Sequence, residues 1–305
     1  MGAQFAMRVT FLLLLIYGLS EVAPPPPMAK PGCTGLCGNV SIPYPFGITA
    51  GCYFNDWFHI NCSTGNDSSV RAFLPSIKME VLEIKFPDPN NDDDSFSSFE
   101  LGIVRVKMPI ITSSNCTSTG PSNGGVNMTG GPFYFSSYRN KFISVGCNNM
   151  ALMTGIDPML VGCNSDCNSE TNIDKEANCS GFKCCQTTVP SGIQVFNVSF
   201  KSKDEKNNGI EKCKYAFLAE EEWFYSNMTN LSSEVPPLER VPVVLDWTVS
   251  NFTDINFTKA DRRKVRRGST DYGAVYYCGY GYEGNPYLNT GCQGKLQLPT
   301  ALIFP

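Results

Sequence analysis

The sequence predicts a mainly β fold with a few short helices, rich in disulfides and divided into two β-rich lobes. Its β-branched and alternating runs are short and are bounded by Gly, Pro, Asn and Asp, which is the pattern of strands and turns. It contains 14 cysteines among 305 residues, which is typical of a crosslinked exported chain. About 275 residues remain after a leader, more than one core usually organises, so we expect two lobes.

The N-terminal segment has the composition of a secretory signal. Arg8 precedes an apolar run at residues 9–19, and this run is shorter than the roughly 20 apolar residues that span a bilayer. Prolines at residues 24–27 then form a stiff extended tether. We therefore expect residues 1–29 to be a signal peptide with a Pro-rich spacer, and the mature protein to be secreted and extracellular, without a transmembrane span.

The cysteines are expected to form disulfides, because the secretory pathway oxidises thiols. Cys33-x3-Cys37 and Cys163-x3-Cys167 have spacings that zinc sites use, but the sequence offers only one histidine to accompany them. Adjacent cysteines rarely bridge each other, so residues 184 and 185 are expected to join different segments. The full pairing is not readable from one sequence. The predicted disulfide cysteines are Cys33, Cys37, Cys52, Cys62, Cys116, Cys147, Cys163, Cys167, Cys179, Cys184, Cys185, Cys213, Cys278 and Cys292.

Asn-x-Ser/Thr sequons are a second sign of export and mark surface positions. Three of them, at Asn61, Asn115 and Asn178, have cysteine as the middle residue. The others are the predicted glycan acceptors Asn39, Asn66, Asn127, Asn197, Asn227, Asn230, Asn251 and Asn256.

Strands are predicted at residues 81–86, 103–108, 133–135, 141–145, 193–200 and 241–249. The first two alternate apolar and polar residues, so each is expected to bury one face and expose the other. The acidic loop between them, with Asp92, Asp93 and Asp94, lacks the spaced oxygen ligands of an EF-hand. A solvated hairpin loop is therefore favoured there over a calcium loop.

Residues 213–225 are predicted as a helix, because apolar residues such as Trp223 and Phe224 fall at helical spacing. Three consecutive glutamates at residues 220–222 superficially suggest the paired carboxylates of a glycosidase. Consecutive residues on a helix point in different directions, however, so these side chains are not expected to face one another. A charged helix face is favoured over an active site.

Other catalytic and nucleic-acid-binding patterns are weak. His59 is the only histidine, whereas hydrolases near neutral pH commonly use a histidine base or a metal. A G-x-G-x-x-G match at residues 279–284 is followed by Asn285 and Pro286, where a dinucleotide site needs a helix. The net charge of −4 lacks the basic excess of nucleic-acid-binding proteins. The sequence thus predicts a binding protein, not an enzyme, with no cofactor or resident metal and no nucleic-acid partner.

A series of motifs resembles one known family. The sequence CTGLCGNVSIPYPFG begins at Cys33, and VGCN, a C-x-G-x2-CCQ motif, AEEEWF and VPVVLDW follow in order up to Trp247. These motifs resemble the galacturonan-binding extracellular region of plant wall-associated receptor kinases. At the C-terminal end, CGYGYEGNPY with a later Gly-Cys is similar to the end of an EGF-like module, although Tyr276 stands where a cysteine is usual. The resemblance covers residues 33–292.

Changes of composition at residues 153–158 and 259–268, together with the resemblance, imply a division of the chain. We expect a galacturonan-binding-like lobe at residues 30–152, a second cysteine-rich β lobe at 153–258, a basic linker at 259–270, a partial EGF-like segment at 271–292 and a tail at 293–305. Family members usually continue into a membrane span and a serine/threonine kinase. The sequence has neither the Gly-rich loop nor the His-Arg-Asp loop of kinases, so a kinase-less, truncated member is expected.

The resemblance also implies that the ligand is pectin, a polymer of galacturonic acid. Arg and Lys side chains bind carboxylates, and several in a row match a repeating anion. A run of charge is equally typical of a solvated loop. The first candidate cluster, together with Lys259, is Arg262, Arg263, Lys264, Arg266 and Arg267. The second is Lys85, Arg105 and Lys107, which would share one sheet face if their strands pair.

Three alternatives accompany this interpretation. A protein-interaction ectodomain, acting as a decoy or co-receptor, would bind a protein and not pectin. A glycoside-cleaving enzyme would need a carboxylate pair. Calcium that bridges the protein and pectin is a further alternative to direct contact.

Tyr53, Phe54 and Trp57 are also open to two interpretations, since they are suited to stacking on sugars but are more typical of packing around a disulfide.

Overall fold

The computed structural model describes residues 26–87, 101–113, 125–156, 159–167, 179–202, 213–227, 239–250, 259–267, 270–289 and 291–295. Several predicted features lie outside these ranges: the apolar leader, the acidic loop at residues 92–94, Cys116, and the sequons at Asn115, Asn178, Asn230, Asn251 and Asn256. No helix in the described part of the chain has both the length and the apolar composition needed to cross a membrane.

The described residues are mainly β, as predicted. The strands are β1 (Leu36–Cys37), β2 (Val40–Ser41), β3 (Asn61–Thr64), β4 (Val70–Leu74), β5 (Met79–Lys85), β6 (Gly102–Pro109), β7 (Ile111–Thr112), β8 (Val126–Asn127), β9 (Phe133–Phe135), β10 (Asn140–Val145), β11 (Asn149–Thr154), β12 (Val161–Ser165), β13 (Cys184–Thr188), β14 (Val195–Ser202), β15 (Tyr215–Glu220), β16 (Arg240–Trp247), β17 (Ala260–Arg267), β18 (Thr270–Cys278), β19 (Tyr282–Gly284) and β20 (Cys292–Gly294). The helices are a 3-10 turn (Asp56–Phe58) and α1 (Glu221–Asn227).

The largest sheet has six strands in the order β3-β4-β5-β6-β16-β9, and every neighbouring pair is antiparallel. The alternating strands β5 and β6 pair with each other, as their sequences suggested. In β16, Val241 to Trp247 are all buried, because this strand lies inside the sheet and is covered on both faces.

Two four-stranded sheets follow the orders β13-β10-β15-β7 and β12-β11-β14-β8, and three two-stranded ribbons complete the fold. The lobe boundary expected near residue 152 falls within β11. Strands from both sides of this boundary pair directly, since β6 pairs with β16 and β10 pairs with β15. The strand that contains this boundary, β11, is paired on both edges, with β12 and with β14. The chain is therefore not divided at this point by an unpaired segment.

The centre of the core is a cluster of aromatic rings. Trp247 is fully buried and makes edge-to-face contacts with Phe46 and Phe58, with ring centroids 5.5 and 6.1 Å apart. Phe133 stacks on Phe46 at 6.2 Å. Such aromatic pairs contribute stability beyond their buried area. The motif residues IPYPFG and VPVVLDW thus meet in one core, although they are about 200 positions apart in the chain.

Six disulfides crosslink the described residues, and the two adjacent cysteines join different segments, as predicted. The pairs are Cys33–Cys52, Cys37–Cys62, Cys147–Cys167, Cys163–Cys185, Cys179–Cys184 and Cys278–Cys292. Both cysteine pairs whose spacing would suit zinc are therefore used in disulfides with other partners. The crosslinks compensate for a core that is divided among many short strands.

The structure corrects the predicted helix at residues 213–225. The segment Tyr215–Glu220 is strand β15, and only Glu221–Asn227 is helical. Ala216 to Ala219 are consecutive buried residues, which favours a strand that is covered on both faces. Pairing with β10 across six residue positions outweighs the helical spacing of the aromatic residues.

The segment at residues 259–270 is likewise corrected. It was predicted as a basic linker, but Ala260–Arg267 is strand β17 and pairs with β18. The sequence of this strand lacks the alternation of apolar and polar residues that predicts strands. An exposed strand of a β-ribbon tolerates consecutive cations, whereas a buried strand does not. The cations therefore lie on a paired strand, whose register shifts between Lys264 and Arg266.

The C-terminal cysteine loop packs against the N-terminal segment. Asn285 is fully buried, and its Nδ2 donates hydrogen bonds to the backbone oxygens of Met28 and Tyr44, each at 2.6 Å. Tyr287 is also buried, 5.5 Å from the Trp247 ring. The GNPY motif thus joins the two ends of the described chain.

Candidate functional site

Strands β17 and β18 form a two-stranded ribbon, here called the basic ribbon, that carries the first candidate cluster. Arg262, Arg263 and Lys264 are all exposed and lie opposite Tyr276, Val275 and Ala274 respectively. These three partners in β18 are buried. The ribbon therefore presents consecutive cations to solvent from a strand whose partner is anchored in the core.

Two contacts fix the basic ribbon to the core, one to the residue two positions after β16 and one to the C-terminal loop. Val249 and Ala274 exchange backbone hydrogen bonds of 2.8 and 3.0 Å just beyond the end of β16. The amide of Tyr276 donates to the Tyr287 hydroxyl at 3.2 Å. Burial raises the pKa of Tyr276 and, more strongly, that of Tyr287, so both phenols remain neutral and add no negative charge near the cations.

Aromatic rings orient two of the cations. The Arg262 guanidinium carbon lies 5.9 Å from the centroid of the Tyr276 ring, and Lys259 Nζ lies 5.8 Å from that of Tyr282. Such cation–π contacts limit the freedom of the charged groups without neutralising them. Arg266 and Arg267 stand opposite Asp271 and Thr270 in the ladder, after a bulge; their side chains lie outside the described part of the structure.

The second candidate set lies on β5 and β6, and the ladder places its three cations on one face. Glu83 is opposite Arg105 and Glu80 is opposite Lys107. Each cation has an acidic partner: Lys85 Nζ is 3.0 Å from Glu83, Lys107 Nζ is 2.8 Å from Glu80, and Arg105 is 2.6 Å from Glu220. A ligand carboxylate would have to compete with these glutamates for the three cations.

A cavity of about 280 Å³ opens next to the start of β18. Its walls combine aromatic rings with amide, hydroxyl and carboxylate groups, contributed mainly by Phe54, Asn55, Trp57, Tyr134, Gln194, Ser250, Asp271 and Tyr272. Of this set, only Phe54 and Trp57 stand out in the sequence as candidates for contact with sugars. The remaining residues come from loops and strand ends that are distant in the chain, so no local motif marks them.

The three aromatic residues near Cys52 divide between packing and lining the cavity. Tyr53 packs on His59 with ring centroids 5.0 Å apart, and Phe54 contacts Phe58 at 6.2 Å. Trp57 is half-buried beside Gly131, where a Cβ atom would lie 2.6 Å from the indole. The structure thus supports packing as the main role of all three, while Phe54 and Trp57 also face the cavity.

The three consecutive glutamates are separated as expected for residues that do not form a catalytic pair. Glu220 contacts Arg105, and Glu221 Oε1 is 3.2 Å from Lys141 Nζ. Glu222 is exposed in the first turn of α1. Within the described ranges, no three His, Cys, Asp or Glu side chains are arranged to hold a metal ion.

The sequons that the structure describes lie mostly at the surface. Asn39, Asn66, Asn127 and Asn197 are exposed, as is Asn61. Asn227 is half-buried at the end of α1, where its Nδ2 donates to the Trp223 carbonyl at 2.8 Å. Four of the predicted acceptors can therefore carry a glycan without disturbing the core.

Two family models match separate parts of the chain. The model described as wall-associated receptor kinase galacturonan-binding matches residues 33–89. The model described as wall-associated kinase matches residues 176–254. The first region holds the 3-10 turn and β1 to β5, and the second holds β13 to β16.

Curated relatives match over most of the chain. Wall-associated receptor kinase-like 3 of Arabidopsis thaliana is 33% identical over 92% of this chain and 41% of its own length. Wall-associated receptor kinase-like 4 of the same plant is 33% identical over 92% of this chain and 39% of its own length. The chain thus spans about two fifths of the length of these relatives. No solved structure matches it significantly.

Proposed function

We propose, on the premise that this chain belongs to the wall-associated receptor kinase family through its extracellular region, that it binds de-esterified galacturonan through the basic ribbon. The observation that carries the proposal is the row of exposed cations at Arg262, Arg263 and Lys264. The family model that matches residues 33–89 supports the ligand class by its description. The match to extracellular regions supports a location outside the cell.

The geometry of the basic ribbon suits a repeating polyanion. Side chains two positions apart in a strand project from the same face at a spacing of roughly 7 Å, so Arg262 and Lys264 lie along one face and Arg263 on the other. Arginine binds a carboxylate with two parallel hydrogen bonds. Because the buried partners in β18 fix the strand, little conformational entropy is lost when the polymer binds.

The function is proposed as binding and not as catalysis. The basic ribbon supplies the positive charge that a polygalacturonate carboxylate requires, so calcium is not needed as a bridge at this site. The cations of the β5–β6 face are proposed to stabilise the sheet through Glu80, Glu83 and Glu220 and to contribute little to the ligand.

Alanine substitution of the exposed cations tests the proposal. The triple variant R262A/R263A/K264A is expected to bind de-esterified oligogalacturonides at least about tenfold more weakly than the unmodified chain, since it removes the cations from both faces of the strand, whichever face the polymer occupies. The measurement is retention on de-esterified pectin together with calorimetric titration.

A control variant with the same net charge separates the ribbon from general electrostatics. K85A/K201A/R240A removes three exposed cations elsewhere in the fold and is expected to keep the original affinity within about twofold. Equal losses in the two variants would show that only net charge matters. Unchanged binding in the ribbon variant would remove the ribbon from consideration, and binding to a protein but not to pectin would favour the protein-interaction ectodomain.

A further inference from the structure

The cavity beside β18 differs in chemistry from the basic ribbon. Residues 54–58, 130–134, 248–250 and 271–273 meet there, with Gln194. None of the Arg and Lys residues of the ribbon lines it. We propose that this cavity is a second binding site, which takes one uncharged pyranose ring of a carbohydrate.

Aromatic side chains form the walls of the cavity. The rings of Tyr134 and Tyr272 pack edge to face with centroids 4.9 Å apart. Trp57 is half-buried and is held beside Gly131. Rings that are fixed in this way offer apolar faces at small entropic cost, and the C–H face of a pyranose is the complementary surface.

Polar groups at the cavity are also fixed by the protein. Gln194 Nε2 donates to the carbonyls of Gly131 and Phe133 at 2.9 and 3.0 Å, which orients the amide and leaves Oε1 as its acceptor. Asn55 Oδ1 accepts from the Trp57 amide at 3.0 Å, so its Nδ2 remains a donor. Hydroxyl groups both donate and accept, and a polyhydroxylated ring therefore satisfies groups that an apolar ligand would leave unpaired.

The charge of the cavity favours a neutral ligand. Asp271 is the one acidic residue among its lining residues, and its Oδ1 accepts from the Gly273 amide at 2.9 Å. Burial raises the pKa of Tyr134, so this phenol stays neutral. None of the lining residues is Arg or Lys, so a ligand carboxylate would find no cation to pair with inside the cavity, whereas an uncharged ring needs none.

The size of the cavity limits how much of a ligand it can enclose. Its volume of about 280 Å³ lies near the lower limit, roughly 300 Å³, of small-molecule sites. The cavity therefore encloses one ring with its substituents. Esterified galacturonate is a suitable probe, because methylation removes its charge without changing the ring.

The test compares two monosaccharide probes on the full chain, methyl galacturonide as its methyl ester and as its free acid, by saturation-transfer NMR and titration. We expect the ester to bind about fivefold more tightly than the acid. D271N is expected to keep this preference, because the cavity still offers no cation to the free acid. Tyr272→Ala removes one wall and Ser250→Trp fills the space, and both are expected to abolish binding, whereas the exposed Tyr138→Ala serves as a control and is expected to change nothing.

The ribbon variant R262A/R263A/K264A distinguishes the two sites. It is expected to bind the esterified monosaccharide normally even if it no longer binds oligogalacturonides. Absence of ester binding to the unmodified chain, or undiminished binding to Ser250→Trp, would overturn the assignment of the cavity. Neither outcome would affect the proposal for the basic ribbon, which depends on charged oligomers.

Discussion

Asp67 lies in the exposed turn between β3 and β4, and its carboxylate organises that turn. The Ser69 hydroxyl and amide donate to Oδ1 at 2.6 and 3.1 Å, and Arg71 contacts Oδ2. These hydrogen bonds, with the Arg71 charge, lower the pKa of Asp67 from 3.8 to about 2. Because the pKa is lowered in the folded state, the stabilising contribution is complete above pH 3.8 and is lost as the pH falls through about 2.

Ser69→Ala is therefore expected to raise the pKa of Asp67 toward 3.8. The substitution removes the hydrogen bond from the Ser69 hydroxyl, whereas the bond from the backbone amide remains. Carboxyl-detected NMR titration of the full chain measures this shift directly. Ser191→Ala, at another exposed turn, is the matched control. An Asp67 pKa that stays near 2 in the Ser69 variant would show that the amide and Arg71 suffice.

At the scale of single residues, the sequence predicted which side chains are exposed or form disulfides better than it predicted which residues they contact. The exposed cations of β17 and the separate partners of Cys184 and Cys185 followed from general rules. Glu220 as the partner of Arg105 did not, since the two residues are 115 positions apart. Ion pairs of this kind depend on sheet pairing that no local pattern encodes.

Among the elements, β10 and β16 are joined by one buried side chain. Asn140 Oδ1 accepts from the Val244 amide at 2.9 Å, and Nδ2 donates to the Val244 and Ser136 carbonyls at 2.7 and 2.8 Å. Asn140→Ala leaves buried backbone groups unpaired and is expected to lower the free energy of unfolding by about 3 kcal/mol. Chemical denaturation measures the loss. Gln293→Ala, an exposed position, is expected to stay within about 0.5 kcal/mol, and an equally small loss for Asn140 would contradict the assigned role.

The six predicted strands correspond to β5, β6, β9, β10, β14 and β16, whereas β15 was predicted as a helix and β17 as a linker. Alternation located β5 and β6, and apolar runs located β10 and β16, because each pattern follows from which faces are buried. The buried run in β15 was concealed by a helical spacing that extends into α1. The consecutive charges of β17 are typical of a linker, because the buried apolar residues of the ribbon belong to β18.

For the whole molecule, Asn285 is expected to hold the C-terminal loop on the core. Asn285→Ala removes two hydrogen bonds to the N-terminal segment and one that Oδ1 accepts from the Tyr287 amide. Hydrogen exchange at residues 270–292 is therefore expected to accelerate by on the order of 10- to 100-fold, while β5 and β6 remain protected. Unchanged exchange would show that the ring contacts of Tyr287 with Trp247 suffice for docking.

The global arrangement depends on contacts that connect distant parts of the chain. The motifs that resemble wall-associated receptor kinases predicted the family, while the short alternating runs and the cysteine count predicted the β-rich, disulfide-bonded character of the chain. They did not predict that the basic ribbon, the end of β16 and the residue 54–58 region would surround one cavity. That arrangement follows from long-range sheet pairing, so the cavity could be found only from the three-dimensional structure, whereas the cation cluster was visible in the sequence.

The central claim is that rigidly held cations bind a polyanionic sugar. Calorimetric titration of the intact chain with galacturonan oligomers of graded methyl esterification, at low and at physiological salt, tests it most directly. Affinity is expected to decrease with each added ester and to weaken by about tenfold between the two salt concentrations. An affinity for galacturonan that changes with neither esterification nor salt would contradict the account.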